Sequence, residues 1–143
     1  MITTKTGDKG ETSLWGKRLK KAHPIFHALG ALDEALSVLG ELDLKEAQDK
    51  VKLALDRIAL GQDISQEEID ALEKDIKLEL RGFVRPKGKS AKIHVARAMV
   101  RRAERFAWES LDNNIPVYLN RLSDWLFVLA ISKAQEWGEL EYF

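Results

Sequence analysis

The sequence predicts an all-α protein, a five-helix antiparallel bundle formed by one domain over residues 1–143. Three observations lead there. Five segments carry apolar residues at three- and four-residue spacing, short Gly-, Pro- or Asp/Asn-containing stretches separate them, and no convincing strand or internal repeat interrupts the pattern. With 143 residues, 45% hydrophobic and 32% charged, the chain can bury a real core and does not have the composition of a disordered segment.

Residues 1–22 precede the bundle and have no regular periodicity. Thr3, Thr4, Thr6, Thr12 and Ser13 alternate with Gly7, Gly10, Gly16 and several lysines. Backbone N–H groups in such a loop can cradle phosphate, with hydroxyls and lysines completing the shell. The P-loop spacing Gly-x4-Gly-Lys-[Ser/Thr] is absent, and on spacing alone the plainer reading is a mobile basic arm.

The first helix opens at His23-Pro24, where a missing N–H costs little, and runs to Gly40 with Ile25, Leu29, Leu32, Leu36 and Leu39 on its apolar face. His23 and His27 are four apart, a spacing that suits a metal on a helix. His23 precedes the helix, however, and no third ligand is evident, so no metal ligands are assigned. A second helix spans about 45–60, ended by Gly61. Ser65 and Glu68 form a capping box for a third, whose stripe of Ile69, Leu72, Ile76 and Leu80 extends it to Gly82. After a Pro/Gly-containing loop, Ser90 is placed to cap the fourth helix, which runs to about Leu111. The fifth, from about Val117 to Trp137, is apolar nearly all round and is expected to be the most buried. Its polar residues need partners, so Arg121 or Asp124 is expected to meet a charge from another helix or subunit.

The fourth helix carries the densest chemistry. Four arginines and one glutamate fall between Arg97 and Arg105, and at about 100° per residue Arg97, Arg101, Glu104 and Arg105 share one side. Arg102 points elsewhere. Guanidinium groups crowded beside a core seam call for an anion, either partner carboxylates or a polyphosphate.

Bulk charge narrows the partners. Lys+Arg of 23 balances Asp+Glu of 23, which argues against nucleic acid as the main partner. Residues 1–21 are nonetheless basic, which suggests a local anion site. The absence of cysteine excludes disulfides and thiolate chemistry. No apolar run reaches membrane-spanning length and no signal-peptide core is evident, so a cytoplasmic protein without a membrane partner is expected.

Three blocks together resemble a known family. They are Thr4-Lys5-Thr6-Gly7-Asp8-Lys9-Gly10-Glu11-Thr12-Ser13-Leu14, then Ala28-Leu29-Gly30-Ala31-Leu32-Asp33-Glu34, and finally Arg97 to Arg105 followed by Tyr118-Leu119-Asn120-Arg121-Leu122-Ser123-Asp124. In order and position they resemble the ATP:cob(I)alamin adenosyltransferases of the type found in propanediol utilisation and in human mitochondria. The resemblance implies a homotrimer with sites between subunits, using ATP with Mg²⁺ and cobalamin, and a flavoprotein or other reductase as electron source.

By that resemblance, Thr4, Lys5, Thr6, Gly7, Asp8, Gly10, Thr12 and Ser13 form an ATP loop, helped by Lys21. Arg101 and Arg105 meet the triphosphate or hold the site's geometry, and Arg97 supports the same face. Asp33 pairs with Arg101 across a subunit boundary. Glu104 and Asn120 are further nucleotide-site positions. Phe83 is an aromatic beneath the corrin that would exclude the lower axial ligand. Metal ligands are not assigned. The chain departs from the family pattern at His27, Ala31, Leu36 and the loop Lys87-Gly88-Lys89. The rival readings are a non-catalytic trimeric bundle that binds ATP or cobalamin as carrier or regulator, and a purely structural helical oligomer.

Overall fold

The computed structural model describes all 143 residues. Five helices are present: α1 (Pro24–Glu41), α2 (Lys45–Leu60), α3 (Gln66–Glu73), α4 (Ser90–Ser110) and α5 (Ile115–Glu136). α4 lies between α1 and α5 and packs on both, α2 adds to α1 and α5, and short α3 lies on α5. The core is one cluster drawn from all five, with Leu32, Leu39, Val51, Ile58, Ile69, Ile93, Val100, Leu119, Leu122 and Leu126 buried. α5 contributes most to it, burying residues from Ile115 to Ala134, which its all-round apolarity anticipated. No helix is long and apolar enough to cross a membrane.

The N-terminal region contains a hairpin that the sequence did not disclose. Strands β1 (Glu11–Leu14) and β2 (Lys17–Lys20) pair antiparallel, with Leu14 opposite Lys17. Their two-residue turn places Trp15 at φ 54° and Gly16 at φ 71°. Positive φ at both centres matches the strand twist, but the usual sequence signal is Asn-Gly or Asp-Gly. A bulky residue in that conformation costs about 1–3 kcal/mol unless its surroundings hold it. Leu14 and Leu19 pack against the core, which gives this short pair its purchase on the bundle.

The helix boundaries show which local signals govern. Pro24 opens α1, and His23 Nδ1 accepts the Ile25 N–H at 3.1 Å. That nitrogen therefore caps the helix, while His27 stacks on Phe106 with ring centroids 4.7 Å apart. Gly61 ends α2 in the left-handed conformation. The Ser65–Glu68 capping box forms in both directions. Its helix, however, stops at Glu73 and does not continue to Gly82. Asp75 and Ile76 turn through N–H bonds to Leu72 O and Glu73 O, and the Trp125 indole approaches Asp75 Oδ2 at 3.5 Å. Ile76 reaches the core from this turn, whereas Leu80 is left largely exposed.

Ser90 is the first residue of α4 and not its cap. Glu139, just beyond α5, accepts the N–H groups of Lys89 at 2.6 Å and Ser90 at 3.0 Å. These bonds, that of Ser90 foremost, hold the Glu139 carboxyl below the ordinary carboxylate range. Gly88 is at φ 63°, which favours glycine, and a Cβ there would displace the Glu139 carboxylate from these bonds. The C-terminal segment continues along the α3–α4 loop: Arg85 N–H donates to Glu141 O at 2.8 Å and Phe143 N–H to Phe83 O at 3.0 Å.

Candidate functional site

Two cationic surfaces carry the residues singled out from the sequence. The first is the N-terminal loop. Asp8 N–H donates to Lys5 O at 3.3 Å and Gly10 N–H to Gly7 O at 3.2 Å, giving two successive turns. Lys5 itself sits at φ 61°. The Thr4 and Thr6 hydroxyls are 3.0 Å apart. Lys21 N–H donates to Gly10 O at 2.8 Å, and the Lys21 side chain crosses over Gly7. A Cβ at Gly7 would lie 2.7 Å from Lys21 Nζ, so glycine lets the ammonium reach the loop backbone. Thr12 and Ser13 are on β1 rather than in the loop.

Arg18, which was not singled out, organises this region. Its guanidinium donates to Thr6 O at 2.8 Å, Glu11 O at 3.2 Å and Ser13 Oγ at 3.1 Å. The five-donor fork suits arginine to that task. Only its position in a hairpin could have pointed to it, and the hairpin itself was missed.

The second surface is the exposed side of α4. Arg97, Arg101, Arg102 and Arg105 line an open depression of about 420 Å³ with Val95 and Met99. Arg102 thus reaches this rim, but Glu34 of α1 holds its Nη2 at 2.5 Å. No carboxylate pairs with Arg97, Arg101 or Arg105, unlike Arg57, Arg85, Arg102 and Arg121. Arg97 lies over the Phe127 ring at 5.6 Å, with its Nε buried and without a hydrogen-bond partner. Burial, then the charge of Arg101, lowers its pKa, with Asp124 opposing. His94 lies beneath, edge-on to Phe127, and burial followed by Arg97 pushes its pKa down.

Asp33 is exposed on α1 and has no cationic partner within the chain; its carbonyl accepts the Ser37 hydroxyl at 3.0 Å. Glu104 accepts the Trp108 indole N–H at 3.0 Å. Asn120 is half-buried on α5, and its carbonyl accepts the Ser123 hydroxyl at 2.7 Å. Arg121 pairs with Glu73 at 2.6 Å, the inter-helix charge expected for one of the polar residues of α5. Phe83 is 87% exposed on the loop held by the C-terminal segment. The chain therefore brings the loop residues together with Lys21, and the three arginines together on α4. No hydrogen bond or ion pair joins residues 1–22 to α4.

Fold and surface chemistry define the class: a small antiparallel helical bundle carrying a basic, hydroxyl-rich N-terminal loop and a separate face of unpaired arginines. The chain belongs to the cobalamin adenosyltransferase family, whose model matches residues 2–133. It is 36% identical to the corrinoid adenosyltransferase PduO of Salmonella typhimurium, an alignment covering 90% of this chain and 48% of that one. It is also 36% identical to a corrinoid adenosyltransferase of Citrobacter freundii, covering 90% of this chain and 92% of that one. The chain thus spans about half the length of the PduO relative and nearly all of the shorter one. Among solved structures it is similar to a variant PduO-type ATP:co(I)rrinoid adenosyltransferase from Lactobacillus reuteri complexed with ATP. The TM-score is 0.80 at 27% identity, covering 98% of this chain and 97% of that one. Another variant of the Lactobacillus reuteri protein, complexed with cobalamin and ATP, gives a TM-score of 0.79 at 25% identity, covering 98% and 94%.

Proposed function

We propose that this protein transfers the 5′-deoxyadenosyl group of ATP to the cobalt of reduced cobalamin and releases triphosphate. The observation that carries the reading is the unpaired arginine face of α4, in a chain whose relatives are corrinoid adenosyltransferases. Co(I) is the nucleophile. Its electron pair forms the Co–C5′ bond, the C5′–O bond breaks, and triphosphate leaves with that pair. No protein base is required. The protein aligns the ribose carbon with cobalt and stabilises the growing charge on the leaving group.

Arg101 and Arg105, supported by Arg97, supply fixed positive charge for the triphosphate. The Thr4–Ser13 segment offers hydroxyls and N–H groups, and Lys21 a mobile ammonium. Glu104 and Asn120 complete the nucleotide contacts. Phe83, exposed on its loop, presents an apolar surface beneath the corrin, where it would displace the lower axial ligand and make Co(II) easier to reduce. A flavoprotein or other reductase then supplies the electron. Within one chain no three His, Cys, Asp or Glu side chains converge. Mg²⁺ would enter with ATP, held by phosphate oxygens and water.

We assign the active form as a homotrimer. Asp33 and Arg101 each lack a partner within one chain, and the N-terminal loop makes no bond to α4. An Asp33–Arg101 pair between subunits would meet both needs and bring the loop of one copy to the arginines of the next. The cytoplasm, with its ATP and reducing equivalents, is the proposed compartment.

The test is the absorbance change on forming adenosylcobalamin from ATP and chemically reduced cobalamin. Product establishes the transferase. ATP binding without product would leave a carrier or regulator, and no ATP binding would leave only a structural oligomer.

A further inference from the structure

The N-terminal loop makes no hydrogen bond of its own to the helical bundle. Its external bonds run to the Arg18 guanidinium, reaching back along the hairpin, and to the Lys21 N–H at the hairpin's base. The position of the loop is therefore inherited from the hairpin, and the hairpin is tethered at its far end by Trp15. The Trp15 indole Nε1 donates to Ile58 O at 2.7 Å, in the last turn of α2. The ring lies against Gly61, where a Cβ would be 3.4 Å from it. Asparagine or glycine would fit the turn with less strain, as Trp15 lies at φ 54°. The indole thus has a use that outweighs the poor fit of its backbone. At the near end, Arg18 bonds Thr6 O and Glu11 O, which flank the loop, and Ser13 Oγ on the strand.

We propose that Trp15 and Arg18 are positioning residues for the nucleotide. Trp15 pins the tip of the hairpin to α2, beyond the hold that Leu14 and Leu19 have on the core, and Arg18 fixes the shape of the loop between Thr6 and Glu11. Neither side chain needs to touch ATP to act in this way. The inference rests on the assignment of ATP to this loop, and it separates from that assignment experimentally.

Two variants test it, each compared with wild-type protein: Trp15→Asn, which suits the turn but removes the tether, and Arg18→Lys, which keeps the charge but loses the fork. Calorimetry with MgATP gives Kd, steady-state kinetics with chemically reduced cobalamin gives both KM values, and amide hydrogen exchange follows residues 4–10. Both variants should raise Kd and KM for ATP by roughly tenfold, the scale of one lost hydrogen bond. Corrinoid KM and the melting temperature should stay at wild-type values, and exchange at residues 4–10 should quicken. An unchanged ATP KM in Trp15→Asn would overturn the tether, as would an equal rise in both KM values. Wild-type affinity in Arg18→Lys would overturn the shaping role and leave only a role for charge. If the wild-type protein binds no ATP, the nucleotide assignment fails instead. The mount then stands or falls on exchange alone, with faster exchange supporting it and unchanged exchange rejecting it.

Discussion

Arginine is used in opposite ways at the α2–α3 corner and on α4. At the corner, Arg57 donates to both carboxylate oxygens of Glu68, at 3.0 and 2.8 Å, and to Asp63 O at 2.7 Å. Glu68 in turn completes the Ser65 capping box, and Asp63 Oδ1 accepts the Asn114 N–H that leads into α5. Arg57, Asp63 and Glu68 all find partners within the chain. On α4, Arg97, Arg101 and Arg105 gather without one. The first arrangement joins elements of the fold. The second keeps like charges together, a cost that an external anion would relieve.

This contrast can be broken most strongly on α4. Arg105→Ala should weaken ATP binding by about 10–100-fold, the range for a lost charged hydrogen bond. The monomer fold should be unaffected, and calorimetry alongside thermal melting checks both. A lower melting temperature with intact ATP affinity would invert the comparison.

Arg57→Ala should do the reverse, costing about 1–2 kcal/mol in urea unfolding for a bidentate, half-exposed pair and leaving ATP affinity unchanged. It should also alter the acid limb. The Arg57 guanidinium foremost, with the Ser65 N–H, holds the Glu68 carboxyl below its usual range. That stability is complete above the unfolded carboxyl pKa of about 4.3 and is lost as pH falls through the lower folded value. Without Arg57 the loss on acidification should be smaller.

A third substitution extends the comparison to the corrin side. Phe83→Ala, at an exposed position, should leave stability unchanged. It should slow the reductase-driven reaction from Co(II) several-fold while sparing the reaction from chemically prepared Co(I). Equal loss in the two assays would reject the axial-ligand role.

The smallest effect is expected at His94→Gln. Burial and Arg97 depress the His94 pKa, so its neutral form is favoured in the fold. Its contribution is complete above the unfolded value of about 6.5 and is lost as pH falls through the folded one. Urea unfolding at pH 8 and pH 5.5 should show a narrower stability difference in the variant than in the wild-type protein.

What could be foreseen from sequence follows the range of the interactions involved. The capping box at Ser65, the proline at α1 and the glycine after α2 are local signals, and each appears where the residues put it. The arginine face was legible because helical spacing alone places Arg97, Arg101 and Arg105 together. The cap of α4 was not, because Glu139 comes from 49 residues beyond Ser90. The hairpin escaped because its turn is Trp-Gly, made tolerable by a bond to Ile58 that no local pattern encodes. The overlong third helix came from continuing a stripe through Ile76, which packs on the core from a turn instead.

Gly88 and Glu139 have a consequence for how this sequence can change over generations. The carboxylate occupies the space a side chain at position 88 would need, so the two positions constrain each other in addition to the demand that φ 63° makes at 88. In a library randomised at both, replacements at 88 should be mainly asparagine or aspartate, which tolerate a φ of 63°, and should survive best beside a shortened residue at 139. Glu139 in turn should be replaceable only where something else caps α4. Natural drift would then cross this pair by coupled steps rather than by independent ones.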